Sequence, residues 1–123
     1  MNKYHARKTT FDGITFDSAS EASRYAELKM LEKHGEITDL RRQVPFVLLD
    51  DYVISGKKKR GIKYVADFVY FEDGIEHIED VKGILTPVYK LKKKMFEARY
   101  GKTIEEINAR YKRNYERIVI RKN

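Results

Sequence analysis

An apolar segment in the middle of the chain constrains the fold more than any other feature. Residues 62–71 read IKYVADFVYF, with apolar side chains at odd and even positions alike. Because successive side chains of a strand point to opposite faces of a sheet, such a segment predicts a central strand that is buried on both faces. Asp67 interrupts it, so the predicted strand carries an ionisable side chain in its middle.

The next segment predicts a β-hairpin that brings two aspartates together. Asp73-Gly74 is a two-residue turn signal, and residues 75–82 return in the antiparallel direction. Counting back from this turn along both strands places Asp67 directly opposite Asp80, with Cβ atoms about 4.5–5.5 Å apart on one face. We therefore expect two carboxyl groups to face each other inside an apolar hairpin.

Two facing carboxylates indicate a metal ion. They repel each other, which raises the pKa of at least one of them, and a divalent cation between them removes the conflict. Oxygen ligands of this kind suit Mg²⁺, or Mn²⁺ as a substitute. Lys82 lies two residues beyond Asp80 and shares its face, so the alternative is an ordinary ion pair in which Lys82 neutralises one aspartate.

Capping residues predict one helix before these strands and one after them. A capping box at residues 18–21 begins a helix over residues 19–33 and places Glu21 at its N-terminus. Thr86-Pro87 supplies an N-cap with proline at the first helical position, and Gly101 ends this second helix.

The remaining segments complete a mixed α/β fold in one domain, residues 1–123. A basic arm over about residues 1–13 precedes a short strand at 14–16. Extended segments are predicted at 37–40 and 44–49, the latter at a sheet edge because of Pro45, followed by a mobile, lysine-rich loop over 50–61. Residues 103–106 form another capping pattern, which predicts a third helix to about residue 114, with an extended alternative over 102–107. In the basic C-terminal segment (about 103–123), residues 117–121 alternate like a closing strand.

The charge balance favours a polyanionic partner. The chain has 26 Lys and Arg against 19 Asp and Glu, a net charge of +7. Nucleic acid is the commonest partner of such a small basic domain. The candidate phosphate-binding residues fall into two clusters: Lys57, Lys58, Lys59 and Arg60, and then Lys90, Lys93 and Lys94. A solvated surface is the alternative for both.

Composition also excludes several classes of protein. Without cysteine there is no disulfide framework, no thiolate chemistry and no cysteine zinc site. No apolar run approaches the ~18 residues of a membrane span, and the N-terminus carries no signal-peptide core. We expect a cytoplasmic protein that does not enter the membrane.

These residues resemble the signature of the PD-(D/E)XK nuclease superfamily. Asp67, and then Asp80-Val81-Lys82, match its catalytic motif, although Ala66 stands where that motif often has proline. The wider chain resembles a group of small, phage-borne proteins of this superfamily over roughly residues 3–100. The features that carry this likeness are Lys3-Tyr4, Ala6, Lys8, Asp12-Gly13, Phe16-Asp17-Ser18, Glu21, Gln43, Tyr64-Val65-Ala66-Asp67-Phe68 and Glu79-Asp80-Val81-Lys82-Gly83.

The resemblance implies a fold and a role for each matching residue. The fold is the restriction-endonuclease-like αβββαβ core. Asp67, Asp80 and the Val81 carbonyl would bind the metal ion, and Lys82 would orient a water molecule or stabilise the transition state. Glu21 would reach a second metal or a metal-bound water, with capping as its alternative role. Gln43 is a candidate to line the site.

The function implied is a Mg²⁺-dependent DNA endonuclease. A chain this short has little room for a sequence-reading domain, so readout of DNA shape is expected, with Holliday junctions or other branched DNA as substrate. Symmetric cleavage would call for a homodimer. The host is a bacterial cytoplasm if a phage encodes the protein. The alternatives are a non-catalytic nucleic-acid-binding protein and an accessory protein that recruits a partner.

Overall fold

The structure, a computed structural model, describes residues 8–108, and its centre is a four-stranded sheet. In chain order the elements are β1 (Thr9–Phe11), β2 (Ile14–Phe16), α1 (Ala19–Lys33), β3 (Thr38–Leu49), β4 (Tyr52–Ile54), β5 (Lys57–Lys59), β6 (Ile62–Glu72), β7 (Ile75–Lys82), α2 (Pro87–Tyr100) and β8 (Glu105–Asn108). The sheet has the strand order β3-β6-β7-β8. The β3–β6 and β6–β7 pairs are antiparallel, whereas β7 and β8 run parallel.

The first helix covers part of one face of the sheet. It begins where the Ser18 hydroxyl accepts a hydrogen bond from the Glu21 backbone N–H at 3.1 Å, as the capping pattern predicts. The apolar residues of α1 pack against Phe68 and Tyr70 of β6 and, with β2, form one hydrophobic core. The buried members of this core are Phe16, Ala22, Tyr25, Leu28, Ile37, Phe68 and Tyr70.

The second helix covers the other face. The Thr86 hydroxyl accepts from the Tyr89 backbone N–H at 3.1 Å, and Gly101 ends the helix in the left-handed conformation with φ 65°. Its buried side chains form a second core with the sheet, whose members are Leu48, Tyr64, Ala66, Val69, Ile78, Tyr89, Phe96 and Ile104. The protein is therefore a three-layer α/β sandwich.

The predicted mixed α/β sheet is confirmed. The main sheet and its two helices follow one another as α1, β3, β6, β7, α2 and β8, which is the αβββαβ order. The two predicted helices and the predicted strands at 14–16 and 75–82 occur where the sequence places them. β3 is a single edge strand that joins the two predicted extended segments, with Pro45 at the edge.

Three predictions about connecting segments are wrong. The predicted arm contains β1, which pairs with β2. The predicted loop over 50–61 contains a second hairpin, in which β4 and β5 pair around Ser55 and Gly56, both at positive φ as a two-residue hairpin turn requires. The predicted third helix is instead β8, because pairing with the edge of β7 outweighs the local capping signal; the extended alternative is correct. Residues 109–123, with the predicted strand at 117–121, lie outside the described residues, as do residues 1–7.

The side-chain alternation of β6 breaks at Asp67. Before it, Tyr64 and Ala66 point into the α2 core; after it, Phe68 points towards α1 and Val69 towards α2. Residues 66 and 69 therefore share a face, which a regular strand does not allow. On the neighbouring strand β3, Gln43 is left out of the pairing with β6 and has a left-handed φ of 50°. Both strands are thus irregular at the same level of the sheet.

This break corrects the prediction that β6 is buried on both faces throughout. Val65 is 45% exposed, and Lys63 is also exposed, on the face opposite to α2. The α1 core begins only at Phe68. The half of β6 before Asp67 is therefore covered on one face, and the half after it on both.

The close approach of β3 to the start of β6 generates a stability prediction. A Cβ atom added at Gly61 would lie 1.8 Å from the Leu49 carbonyl oxygen, which is backbone and cannot rotate away. We expect Gly61→Ala to lower the free energy of unfolding by about 1–3 kcal/mol, measured by urea denaturation. Lys63→Ala, at an exposed site two residues on, is the control and should change it by less than about 0.5 kcal/mol. Equal stability of the two variants would contradict the close approach.

Candidate active site

Side chains from α1, β3 and β6 meet where the alternation of β6 breaks. Gln43 links them: its amide nitrogen donates to Oε2 of Glu21 and to Oδ1 of Asp67, each at 3.4 Å. Arg42 adds a positive charge, with one guanidinium nitrogen 3.7 Å from the same Glu21 oxygen. The left-handed conformation of Gln43 is thus associated with an amide placed between two carboxyl groups. The structure thus places Gln43 beside two of the other candidate site residues, Glu21 and Asp67.

The hairpin register is the predicted one but ends before the two aspartates. β6 and β7 pair from Glu72–Ile75 to Phe68–Glu79. The predicted pairing of Asp67 with Asp80 would come next and is absent, because β6 is irregular there. Instead, the Asp67 side chain reaches across, and its Oδ2 accepts a hydrogen bond from the Val81 backbone N–H at 2.8 Å. The two carboxyl groups still lie close together, since the charge of Asp80 raises the pKa of Asp67.

This environment disfavours the charged form of Asp67. Burial raises the pKa of its carboxyl group to about 8, with further increases from the charges of Asp80 and Glu21 and a smaller opposing effect of the Val81 N–H. Burial and the charge of Asp17 also raise the pKa of Glu21, against the lowering effect of Arg42. The predicted direction for an aspartate of the pair is confirmed, but burial rather than the facing carboxylate is the main cause.

Asp80 has partners that sequence reasoning missed. Its side chain is nearly fully buried; Oδ2 accepts a hydrogen bond from the Tyr64 hydroxyl at 2.6 Å, and Oδ1 lies 3.1 Å from Nζ of Lys82. The Lys82 ammonium also lies over the ring of Tyr89, 4.1 Å from its centroid. In the sequence Tyr64 and Tyr89 look like core residues. Nothing in their spacing predicts that the Tyr64 hydroxyl contacts Asp80 or that the Tyr89 ring contacts Lys82.

The donor set can be compared with that of a magnesium site. Within residues 8–108, no group of three or more His, Asp and Glu side chains is close enough to surround one ion. Asp67 and Asp80 supply two neighbouring carboxyl groups. Mg²⁺ in enzymes of phosphate chemistry is commonly bound by one or two carboxylates, with water and substrate phosphate as its other ligands. The residues present fit that pattern.

The predicted lysine clusters lie on β5 and on α2. Lys57, Lys58 and Lys59 form β5, and Arg60 follows it; all are exposed. Lys90 and Lys94 are exposed on α2. Lys93, by contrast, is paired with Glu106 of β8 at 2.8 Å, and Tyr89 donates to the same carboxylate.

A buried ion-pair network holds α1 on the sheet. Glu79 precedes Asp80 in β7 and therefore points to the opposite face of the sheet. It is completely buried under α1. Arg24 donates to both of its carboxylate oxygens, with Nε 2.6 Å from Oε1, and also pairs with the buried Glu27. The Tyr70 hydroxyl donates to Glu79 as well. Because Arg24 lies one turn after Glu21, this network fixes the part of α1 that carries the site glutamate.

Comparison with known families gives one match. Residues 1–115 match the model of a family described as "Protein of unknown function (DUF1064)". The chain belongs to this family. No curated protein and no solved structure matches it. No helix within residues 8–108 is long and apolar enough to cross a membrane. For this family member, a function has to be inferred from the geometry of the site.

The raised pKa of Asp67 predicts how stability depends on pH. In the unfolded chain Asp67 loses its proton near pH 4, whereas in the folded protein it keeps it up to about pH 8. Between these values the folded state binds more protons, so metal-free protein should become less stable as the pH rises. We expect Asp67→Asn to flatten this dependence by at least about 4 °C in Tm, measured in EDTA by calorimetry.

The matched control is Asp50→Asn, at an aspartate whose side chain is 79% exposed. It should keep the wild-type slope of Tm against pH. A wild-type protein whose stability rises over the same interval, or an Asp67→Asn variant with an unchanged slope, would contradict the buried, protonated state of Asp67.

Proposed function

We propose that this protein is a metal-dependent DNA endonuclease that hydrolyses phosphodiester bonds, with Mg²⁺ as cofactor and Mn²⁺ as substitute. One observation carries the proposal: Asp67 and Asp80, from adjacent strands, bring a half-buried and a buried carboxyl group so close together that the charge of Asp80 raises the pKa of Asp67. Burying such groups is costly unless a cation or a proton compensates them. The two aspartates lie between Lys82 on one side and Gln43 with Glu21 on the other. This arrangement suits phosphate hydrolysis.

The residues around the pair have separate tasks. Asp67 and Asp80 would hold the cation, which when bound supplies a water molecule of lowered pKa and offsets negative charge on the phosphate. Tyr64 keeps Asp80 in one orientation through its hydroxyl, and the Val81 N–H does so for Asp67. Burial and the charge of Asp80 hold the pKa of Tyr64 well above its ordinary value, so Tyr64 stays a donor.

Lys82 and Glu21 complete the proposed reaction centre. The Lys82 ammonium, fixed between Asp80 and the Tyr89 ring, is suited to bind a phosphate oxygen or orient the attacking water. Glu21, with its raised pKa, is placed to accept or hold a proton at the edge of the site, close to Gln43.

Charge and motif support DNA as the substrate. The net charge of +7 favours a polyanion. The αβββαβ order and the Asp67 and Asp80-Val81-Lys82 motif match what the resemblance to PD-(D/E)XK nucleases implies. Branched DNA, recognised by its shape, is the first substrate to test, with a two-fold dimer for symmetric cleavage.

One observation favours a non-catalytic alternative. Lys82 already forms an ion pair with Asp80, and such a pair could serve only to neutralise a buried carboxylate on a nucleic-acid-binding scaffold. A panel of junctions, flaps, single strands and duplexes, incubated with Mg²⁺ or Mn²⁺, separates the two. Metal-dependent cleavage of any of them excludes the alternative, and no cleavage of any supports it.

Asp80→Asn tests the role of the carboxyl pair. The substitution keeps the size of the side chain but removes one metal charge, so we expect cleavage to fall at least ~10²-fold, while DNA affinity in EDTA holds or rises. Mg²⁺ should raise the Tm of the wild-type protein and not that of the variant, since only a bound ion stabilises the folded state.

Asp50→Asn again provides the control and should retain both cleavage and stabilisation by Mg²⁺. The metal-binding proposal fails if Mg²⁺ stabilises the Asp80→Asn variant as much as the wild type.

Lys82→Ala separates water or phosphate orientation from metal binding. We expect cleavage to be lost by about 10²-fold or more, because the ammonium acts on charge that develops in the transition state. Mg²⁺-dependent stabilisation should persist, since both aspartates remain. Lys33→Ala, at an exposed lysine in the last turn of α1, is the control and should retain cleavage within about two-fold. Loss of Mg²⁺ binding in Lys82→Ala would show that the lysine only supports the aspartates.

A further inference from the structure

One half of the sheet has an open face that leads away from the candidate site. It consists of Gln43, Pro45 and Val47 of β3 and Lys63 and Val65 of β6. Pro45 pairs with Val65, and Val47 with Lys63, so these side chains share a face. Their neighbours Val44, Phe46, Tyr64 and Ala66 point into the α2 core on the other face. Within the described residues, the α1 core begins only beyond Asp67, and Val65 and Lys63 are exposed.

The β4–β5 hairpin stands at the far end of the open face. It is a separate two-stranded sheet, and all six of its strand residues are exposed. Its apolar residues are unusually exposed for their size: Tyr52 by 47%, Val53 by 69% and Ile54 by 58%. An isolated two-stranded hairpin is only marginally stable in water, and large exposed apolar side chains indicate a contact with another molecule.

The charge of the hairpin identifies the kind of partner. Each apolar residue of β4 is paired with a lysine of β5, Tyr52 with Lys59, Val53 with Lys58 and Ile54 with Lys57. Between residues 52 and 60 there are four basic residues and no acidic one. None of the four, nor Lys63, forms an ion pair with another residue of the described part of the chain.

The acidic residues at the base of the hairpin contact groups other than its lysines. Asp51 accepts a hydrogen bond from the Gly61 backbone N–H at 2.7 Å, and Asp50 lies 3.8 Å from a guanidinium nitrogen of Arg99. They fix the position at which the hairpin leaves the sheet and do not neutralise its lysines. The exposed charge of the hairpin is therefore available to phosphate groups.

The dimensions fit double-stranded DNA. Six residue steps along β3 lead from Gln43 to Leu49, the last residue of that strand, which corresponds to roughly 20 Å. That length corresponds to about six base pairs of B-DNA. A two-stranded ribbon also fits the major groove, which is about 12 Å wide, whereas the major groove of double-stranded RNA is too deep and narrow for side chains to read.

We propose that the β4–β5 hairpin inserts into the major groove of duplex DNA whose backbone crosses the open face to reach Asp67 and Asp80. The lysines of β5 contact phosphates on the groove walls, and Val53 and Ile54 contact the apolar edges of bases such as the thymine methyl group. The proposal rests on the proposed nuclease function for the position of the cleaved strand, and it adds the substrate class, a duplex arm that extends from the site to the hairpin.

The test measures binding without cleavage, in EDTA, by fluorescence anisotropy of a labelled DNA duplex over a series of salt concentrations. The first variant is Lys57→Ser/Lys58→Ser/Lys59→Ser. Its matched control, Lys90→Ser/Lys92→Ser/Lys94→Ser, removes the same number of charges from α2 on the other side of the sheet. The second variant, Val53→Ser/Ile54→Ser, leaves the charge unchanged. Circular dichroism and Tm verify that each variant is folded. We expect all of them to fold, because the substituted side chains of the hairpin are exposed.

The first variant should lose at least ~10-fold in affinity, and the slope of log K against log salt should become shallower by about 2–3. The α2 control should lose less than about three-fold. The apolar variant should also lose affinity, by about five-fold or more, but with the salt slope unchanged, because no phosphate contact is removed. A double-stranded RNA of the same sequence should compete poorly with the DNA.

Three outcomes would overturn the proposal. An equal or larger loss in the α2 control would mean that the clusters act only by long-range attraction. Equal competition by double-stranded RNA would exclude insertion into the major groove. Full affinity of both hairpin variants would leave the hairpin as a surface for a protein partner that adds a strand to its edge. None of these binding measurements requires cleavage. If the Asp80→Asn experiment contradicts the nuclease function, the binding results for the hairpin can therefore still be interpreted on their own.

Discussion

Two carboxyl groups that lie inside one sheet impose the main constraint on the structure around them. Asp67 and Asp80 are both largely removed from water, and each needs compensation for that loss. A regular ladder would place Asp67 directly opposite Asp80, a second carboxyl group. The break in β6 turns its side chain towards the Val81 N–H and the Gln43 amide instead. The same break divides the sheet into a half covered on both faces and a half with one face open.

The two sides of the sheet contribute to the site in different ways. The α2 side is rigid and aromatic, with Tyr64 and Tyr89 fixing Asp80 and Lys82. The α1 side is ionic, and the Arg24–Glu79 pair anchors the helix close to Glu21. Removing one member of a buried pair leaves an uncompensated charge, so this anchor is sensitive to single substitutions although none of its members reaches the carboxyl pair. Site geometry and helix packing are therefore linked through Arg24.

Local signals were sufficient to predict much of the fold. The caps at Ser18 and Thr86 and the Asp73-Gly74 turn involve residues close in sequence, so the helices and the hairpin register could be inferred from them. The β8 strand could not be chosen over a helix, because only the edge of β7, distant in sequence, decides between them. The hairpin of β4 and β5 was hidden because a lysine-rich strand has the composition of a loop. At the candidate site, Asp67, Asp80, Lys82, Glu21 and Gln43 could be named from the sequence, but the break at Asp67 and the hydroxyl of Tyr64 depend on packing that spacing does not encode.

The parallel pairing of β8 has a consequence for the order of folding. β7 carries Asp80 and Lys82, and its outer edge pairs, within residues 8–108, with β8, which follows after the whole of α2. During synthesis the hairpin of β6 and β7 therefore emerges and pairs before its last neighbour exists. For that interval β7 is an edge strand with unpaired backbone groups, open to association with other chains. The long crossover makes its coverage one of the slower steps of folding. The strand that carries Asp80 and Lys82 is thus open to association with other chains until β8 pairs with it.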